Sequence, residues 1–217
     1  EVLLNYMQSF IDRFTHWDDP KNAATFDGIL GLGWQSRINK ALPQSEAVLE
    51  LFIQQLRAAG PFHHVVSTPI EKDEGQASFR IVYGTRSDRG LEAYRDAEFV
   101  ARRNQDQRRV SIRKAKDDEA GIRDMFEGLV LELPVDRNVA EACRQAREIL
   151  VERLRAVGSC PFSELWPVML SNAAIRKTNA RDICVELADE GIIHPSWKRR
   201  GPRMQKPNDG DLISFVD

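Results

Sequence analysis

The chain is 217 residues long, enough for one large domain or two modest ones with buried cores. Hydrophobic residues make up 42% and charged residues 29%, an ordinary globular balance, and no apolar run approaches the roughly 20 residues of a membrane-spanning helix, so no membrane partner is expected. The formal charge of −2 excludes a global attraction to polyanions and leaves any nucleic-acid binding to a local basic surface. Cys143, Cys160 and Cys184 are far apart and form no CxxC pair, which argues against a zinc site or a disulfide framework and fits a reducing cytoplasm. No metal site is expected.

Glu1 to Met7 lack the basic region, long apolar stretch and small-residue cleavage site of a signal peptide. They read as a strand that starts abruptly, and the expectation is a chain that begins inside a larger polypeptide. The continuous apolar run from Val2 to Tyr6 suits a strand buried on both faces of a parallel sheet. Phe10, Ile11 and Phe14 then recur at helical spacing until Asp18-Asp19-Pro20 breaks the pattern. Pro43 opens a long helix with Val48, Leu49, Leu51, Phe52, Leu56 and Ala59 on one face, stopped by Gly60-Pro61. The runs from His63 to Pro69 and from Ala77 to Gly84 alternate and are rich in β-branched residues, which predicts an antiparallel hairpin across the polar turn 72–76. Strand, crossover helix and closing hairpin follow in the order found in the second half of a methyltransferase-like Rossmann sheet.

The segments Val2-Leu3-Leu4-Asn5-Tyr6-Met7, Phe10-Ile11-Asp12-Arg13-Phe14, Phe26-Asp27-Gly28 to Gly33-Trp34, and Tyr83-Gly84-Thr85 with Gly90-Leu91 and Arg95-Asp96-Ala97 resemble the three-Cys-motif partner proteins, over about residues 1–105. The resemblance implies a methyltransferase-like fold, and for a complete protein that is an enzyme it implies methyl transfer from S-adenosylmethionine, with a nucleic-acid base as a substrate. It also implies a three-Cys-motif protein as partner. The family name refers to cysteines of that partner, so the three cysteines here do not bear on it. The family's cofactor-binding glycines and its Asp-Pro-aromatic-Gly motif do not occur in this sequence. What the resemblance then implies is an incomplete Rossmann-like α/β domain that holds no cofactor and is inactive by itself.

Three local features invite a site. Gly28-Ile29-Leu30-Gly31-Leu32-Gly33 has the glycine density of a phosphate loop, but it does not follow a strand, and a structural turn capped by Phe26 and Trp34 is the preferred reading. Asn5 beside Tyr6 at a strand end sits where open α/β sheets place ligands, and it is the weak catalytic candidate; the alternative is a buried Asn satisfying backbone groups. His63 and His64 are adjacent in a strand, so they point to opposite faces and cannot share one metal.

After Glu98 the composition shifts. Arg102, Arg103, Arg108, Arg109, Arg113, Lys114 and Lys116 crowd together before Asp117-Asp118-Glu119 reverses the sign, and hydrophobic spacing is poor. Residues 106–136 therefore read as a charged connector, either an exposed helical extension or a mobile linker. Its surface is either a self-compensating solvated face or a strip that tracks phosphates. Met125, Phe126, Leu129, Val130 and Leu131 restore apolar content before Pro134.

Residues 137–217 read as a winged helix-turn-helix. Ala142, Ala146, Ile149, Leu150, Leu154 and Val157 form the stripe of a first helix capped by Gly158. Phe162 to Leu170 supplies a second, and Thr178 caps a third carrying Ala180, Ile183, Cys184, Leu187 and Ala188, closed by Gly191. Ile192-Ile193-His194 and Leu212 to Val216 are strands flanking a basic wing with Trp197 at its base. This half resembles the winged-helix region at the C-terminus of the same family. Its nucleic-acid candidates are Arg176, Lys177, Asn179 and Arg181 at the start of the third helix and Lys198, Arg199, Arg200, Arg203 and Lys206 on the wing. Asp182, Glu186, Asp189 and Glu190 on that helix would repel phosphates, so the expectation is wing-dominated binding with shallow helix insertion, to DNA before RNA. The competing reading is a non-enzymatic adaptor that docks proteins on both domains.

Overall fold

A computed structural model describes residues 1–8, 20–71, 77–119, 133–197 and 205–216. It is a mixed α/β structure with two small antiparallel sheets, and the chain divides into two compact units, Glu1–Gly90 and Leu91–Asp217. No helix among the described residues is long and apolar enough to cross a membrane.

The first unit holds β1 (Val2–Tyr6), α1 (Pro20–Leu30), α2 (Trp34–Arg37), α3 (Gln44–Ala59), β2 (His64–Glu71) and β3 (Ala77–Thr85). Pro43 precedes α3 and Gly60 ends it, as the sequence predicts. The expected hairpin is β2–β3, in register from His64 opposite Thr85 to Ile70 opposite Phe79. The sheet order is β1-β3-β2, with β3 antiparallel to both neighbours, so β1 and β2 run the same way without touching.

The expectation for β1 needs correction. Among the described residues it is hydrogen-bonded to β3 alone, antiparallel, and it is not buried on both faces: Tyr6 is 2% exposed and Leu3 62%. The reason is one-sided cover. Tyr6, Val65 and Val82 pack with Leu49 of α3, and Leu4, Phe52, Ile53 and Leu56 join them, whereas Leu3 and Asn5 project from the opposite face. Asn5 lies at the C-terminal end of β1 as expected, next to last and opposite Ile81, but it is exposed rather than buried. The helix expected around Phe10 to Phe14 lies outside the described residues.

Between α1 and α2, Gly31 and Gly33 adopt φ of 85° and 66°, a region that strongly favours glycine. A Cβ on Gly31 would also meet the Arg37 guanidinium, which donates to the Leu30 carbonyl and closes the turn. Phe26 and Trp34 meet edge to face at 6.0 Å on either side of it. The glycine-dense run is thus a helix-to-helix turn clamped by aromatics.

α4 (Asp88–Glu119) crosses the boundary at Gly90 and runs unbroken through the composition shift. The first part of the charged segment is therefore helix rather than linker; residues 120–132, with Met125 to Leu131, lie outside the described residues. The second unit continues with α5 (Pro134–Val157), β4 (Ser159–Pro161), α6 (Phe162–Asn172), α7 (Lys177–Asp189), β5 (Ile193–Pro195) and β6 (Leu212–Phe215). β6 lies between β4 and β5, antiparallel to both.

Three helices close around Ala146, Leu150, Leu154, Leu165, Met169, Leu170, Ile183 and Leu187, all at most 3% exposed. Gly158 and Gly191, both at φ 74°, end the first helix and the α7 turn where expected. α7 starts one residue before the expected cap. Arg176 is the flanking residue, and Asn179 rather than Thr178 accepts its backbone N–H, at 3.0 Å. The short β4 has no counterpart in the sequence reading.

Candidate nucleic-acid interface

The turn from α6 to α7 is fixed by Ala173 and Ile175, 3% and 1% exposed, which pin the chain while Arg176 to Arg181 start the next helix. The four expected contact residues of this stretch do meet at the start of α7, where Lys177 and Asn179 are already engaged and the Nε atoms of Arg176 and Arg181 are buried without a hydrogen-bond partner among the described residues. The Arg176 guanidinium lies over the Phe99 ring at 4.0 Å, and Asn179 is bound to the Arg176 backbone. Lys177 is 8% exposed; its Nζ is 2.8 Å from Asp209 Oδ1 and 3.7 Å from Glu92 Oε2, and sits 4.3 Å from the Trp166 ring centre. An ammonium with two carboxylates and an aromatic face has little left for a phosphate. Arg181 is half-buried. On the β5–β6 connection, Lys206 pairs with Asp182 of α7, and Lys198, Arg199, Arg200 and Arg203 lie outside the described residues. Trp197, at the base of this connection, is 7% exposed.

The outward face of α7 is acidic. Glu186, Asp189 and Glu190 are exposed, and Asp182 is half-buried. Asp182 is compensated by Lys206 and Glu190 by a bidentate pair with Arg147 of α5. The hydrogen bonds from Arg147 hold the Glu190 carboxyl below the usual carboxylate range, and Glu190 in turn raises Arg147. Burial, then Glu186 and Asp182, push the Cys143 thiol up. Burial raises Cys160 as well, and Cys184 to about 12. Cys160 and Cys184 are buried and Cys143 is half-buried, free thiols that serve packing.

A feature that sequence reasoning missed is a ladder of charges along α4. Arg95 is 5% exposed; its Nε donates to the Leu170 carbonyl at 2.9 Å and its guanidinium to Glu98 at 2.6 Å. Arg102 reaches the other Glu98 oxygen at 2.8 Å. Asp106, 7% exposed, accepts the Val135 backbone N–H at 2.7 Å, and Arg109 approaches it at 3.9 Å. Arg102 and Arg109 are thereby committed to the fold. Beyond them Arg103, Arg108, Arg113, Lys114 and Lys116 are exposed.

In the first unit, His63 is exposed while His64 turns inward, its Nε2 2.6 Å from Asp88 Oδ1, so the adjacent histidines diverge. Near this pair Thr85 lies within hydrogen-bonding distance of Glu1, and burial raises the Tyr83 hydroxyl despite its bond to Thr85. No group of three or more His, Cys, Asp or Glu among the described residues could hold a metal ion. Gly31 and Gly33 do not form the strand-to-helix turn that would hold S-adenosylmethionine, since they join two helices, and Asn5 stands exposed. No protein-family model matches the chain, and neither a curated protein nor a solved structure matches it.

Proposed function

We propose that the second unit is a winged helix-turn-helix module that binds nucleic acid through the phosphate backbone, with the β5–β6 connection as its wing. The supporting observation is the element order α5-β4-α6-α7-β5-β6 with β6 at the centre of its sheet, which puts the sequence's Lys198, Arg199, Arg200 and Arg203 on the connection between two adjacent antiparallel strands. Insertion of α7 into a major groove would bring its acidic outward face toward phosphates, so binding through the wing and without base readout is the consistent mode. Duplex DNA is favoured over RNA as the ligand.

The first unit is read as the closing strands of a methyltransferase-like sheet, supported by β3 lying antiparallel between β1 and β2. On that reading S-adenosylmethionine chemistry belongs to a complete protein and not to these residues. The adaptor reading retains one specific support: the acidic face of α7 would suit a basic protein surface, and a three-Cys-motif protein is the partner the family resemblance implies.

The test is a salt titration of binding to a labelled DNA duplex and to a structured RNA, with the Arg199→Ala/Arg200→Ala/Arg203→Ala variant beside the parent. Each phosphate contact contributes about −0.9 to the slope of log K against log salt on duplex DNA, so the variant should lose about 2 to 3 from that slope. Absence of binding to both probes at low salt would leave the adaptor.

A further inference from the structure

We infer that the C-terminal half of α4 is a second phosphate-contacting element, which lies in the major groove of the duplex that the wing grips. The inference rests on the nucleic-acid reading above and extends it to a surface outside the winged helix. Seven Arg and Lys residues lie between Arg102 and Lys116, and the structure sorts them. Arg102 is tied to Glu98 and Arg109 stands beside Asp106. Arg103, Arg108, Arg113, Lys114 and Lys116 are exposed and have no ion-pair partner among the described residues.

Three features select a grooved polyanion as the partner. Residues 110–116 are all exposed, so almost two full turns of helix are uncovered on every side. The free charges are distributed around this rod: Arg103 and Lys114 share one side by helical spacing, Arg113 and Lys116 another, and Arg108 lies between. A bare helix about 10–12 Å across matches a major groove about 12 Å wide, whose two walls both carry phosphates, and charges on several sides are then all used. A flat anionic membrane would engage the charges on one side only, and a protein helix would require an apolar face. The exposed apolar residues Val110 and Ile112 are two positions apart and point to opposite sides, so no such face exists here. From Arg103 to Lys116 the rise is about 20 Å, long enough to meet several successive phosphates.

The experiment compares the full chain with Arg108→Gln/Arg113→Gln/Lys114→Gln/Lys116→Gln and with the wing variant above, by anisotropy on a labelled DNA duplex across a salt series. Gln keeps the helical tendency and removes the charge, and circular dichroism checks the fold. The expected result is a slope shallower by up to about 3.6, which shrinks the affinity loss between about 50 and 200 mM salt by roughly 100-fold. The single variant Lys114→Gln, which cannot threaten folding, should shift the slope by about 0.9. An α4 variant with the parent's slope and affinity, next to a weakened wing variant, overturns this inference and leaves the proposed function standing. The reverse pattern supports α4 and removes the wing. Equal binding to phosphatidylserine vesicles, lost in the same α4 variant, would overturn the assignment to nucleic acid. A parent chain that binds no duplex at low salt overturns both.

Discussion

Lys177→Met separates a structural lysine from a phosphate-binding one. Methionine keeps an unbranched chain against the Trp166 ring and deletes the charge. The lost terms are the pairs with Asp209 and Glu92, whose side chains are 55% and 35% exposed and can rehydrate once abandoned. Each such pair contributes on the order of 0–1 kcal/mol. The contact of the ammonium with the ring contributes about 1–2 kcal/mol at this depth, partly replaced by a thioether contact of about 0.3–1.5 kcal/mol. The net expectation is a loss of about 1 kcal/mol, or about 2–4 °C in melting temperature for a chain of this size. Urea unfolding should show a lower midpoint with an unchanged m-value, and the salt slope of DNA binding should be that of the parent. Unchanged stability together with a slope shallower by about 0.9 would mean that the ammonium serves a phosphate, and would refute the burial argument.

Asp106→Ala leaves the buried Val135 N–H without its acceptor and should cost about 1–3 kcal/mol by urea unfolding, without altering DNA affinity at saturating fold. Arg95→Met removes a buried donor from both Leu170 and Glu98; because Glu98 retains Arg102, the expected cost is about 3 kcal/mol, the low end for breaking a buried pair, whereas Arg108→Gln should change stability by less than about 0.5 kcal/mol. In native alkylation followed by mass spectrometry, Cys184, with its thiol pushed up to about 12, should stay unmodified at neutral pH until the chain is unfolded, while half-buried Cys143 reacts first but more slowly than a free thiol. Glu190 has a lowered folded pKa, so its pairing with Arg147 stabilises the fold fully above the unfolded carboxylate value and is lost as the pH falls through the lower folded value. The stability difference between the parent and Arg147→Ala should therefore shrink on acidification, and a difference that grows would contradict the pairing.

Apolar patterning made the α3 helix, the β2–β3 hairpin and the three helices of the second unit legible, because in each the buried stripe is aliphatic. Where the buried stripe is not aliphatic, reading failed. α4 looks aperiodic after Glu98, yet Arg95, Glu98, Arg102, Asp106 and Arg109 recur at intervals of three and four, the spacing of one helical face. The signal was present in charge rather than hydrophobicity. β1 misled for a different reason: a five-residue apolar run reads alike whether one or both faces are covered, and only the tertiary packing on each face decides. The candidates at the start of α7 share a limit of the same kind. Basic residues at a helix start suit a phosphate, but Glu92 and Asp209, which claim Lys177, are far from it in sequence and carry no pattern that links them.

The ladder on α4 also explains why charges can occupy a buried seam at all. A helix leaves N–H groups unpaired at its start and carbonyls unpaired at its end, with a partial positive and a partial negative charge respectively. Asp106 meets the start of α5 at the Val135 N–H, and Arg95 meets the last turn of α6 at the Leu170 carbonyl. Each ion thus sits at the pole of opposite sign, and Glu98 with Arg102 balances the charge between them. An aliphatic stripe in the same register would bury these helix ends without partners, at a cost of about 1–3 kcal/mol for each orphaned group. The carboxylates and the arginines on this face are therefore committed to capping and balance, and the basic residues with no such duty, Arg103, Arg108, Arg113, Lys114 and Lys116, are those that α4 turns to solvent.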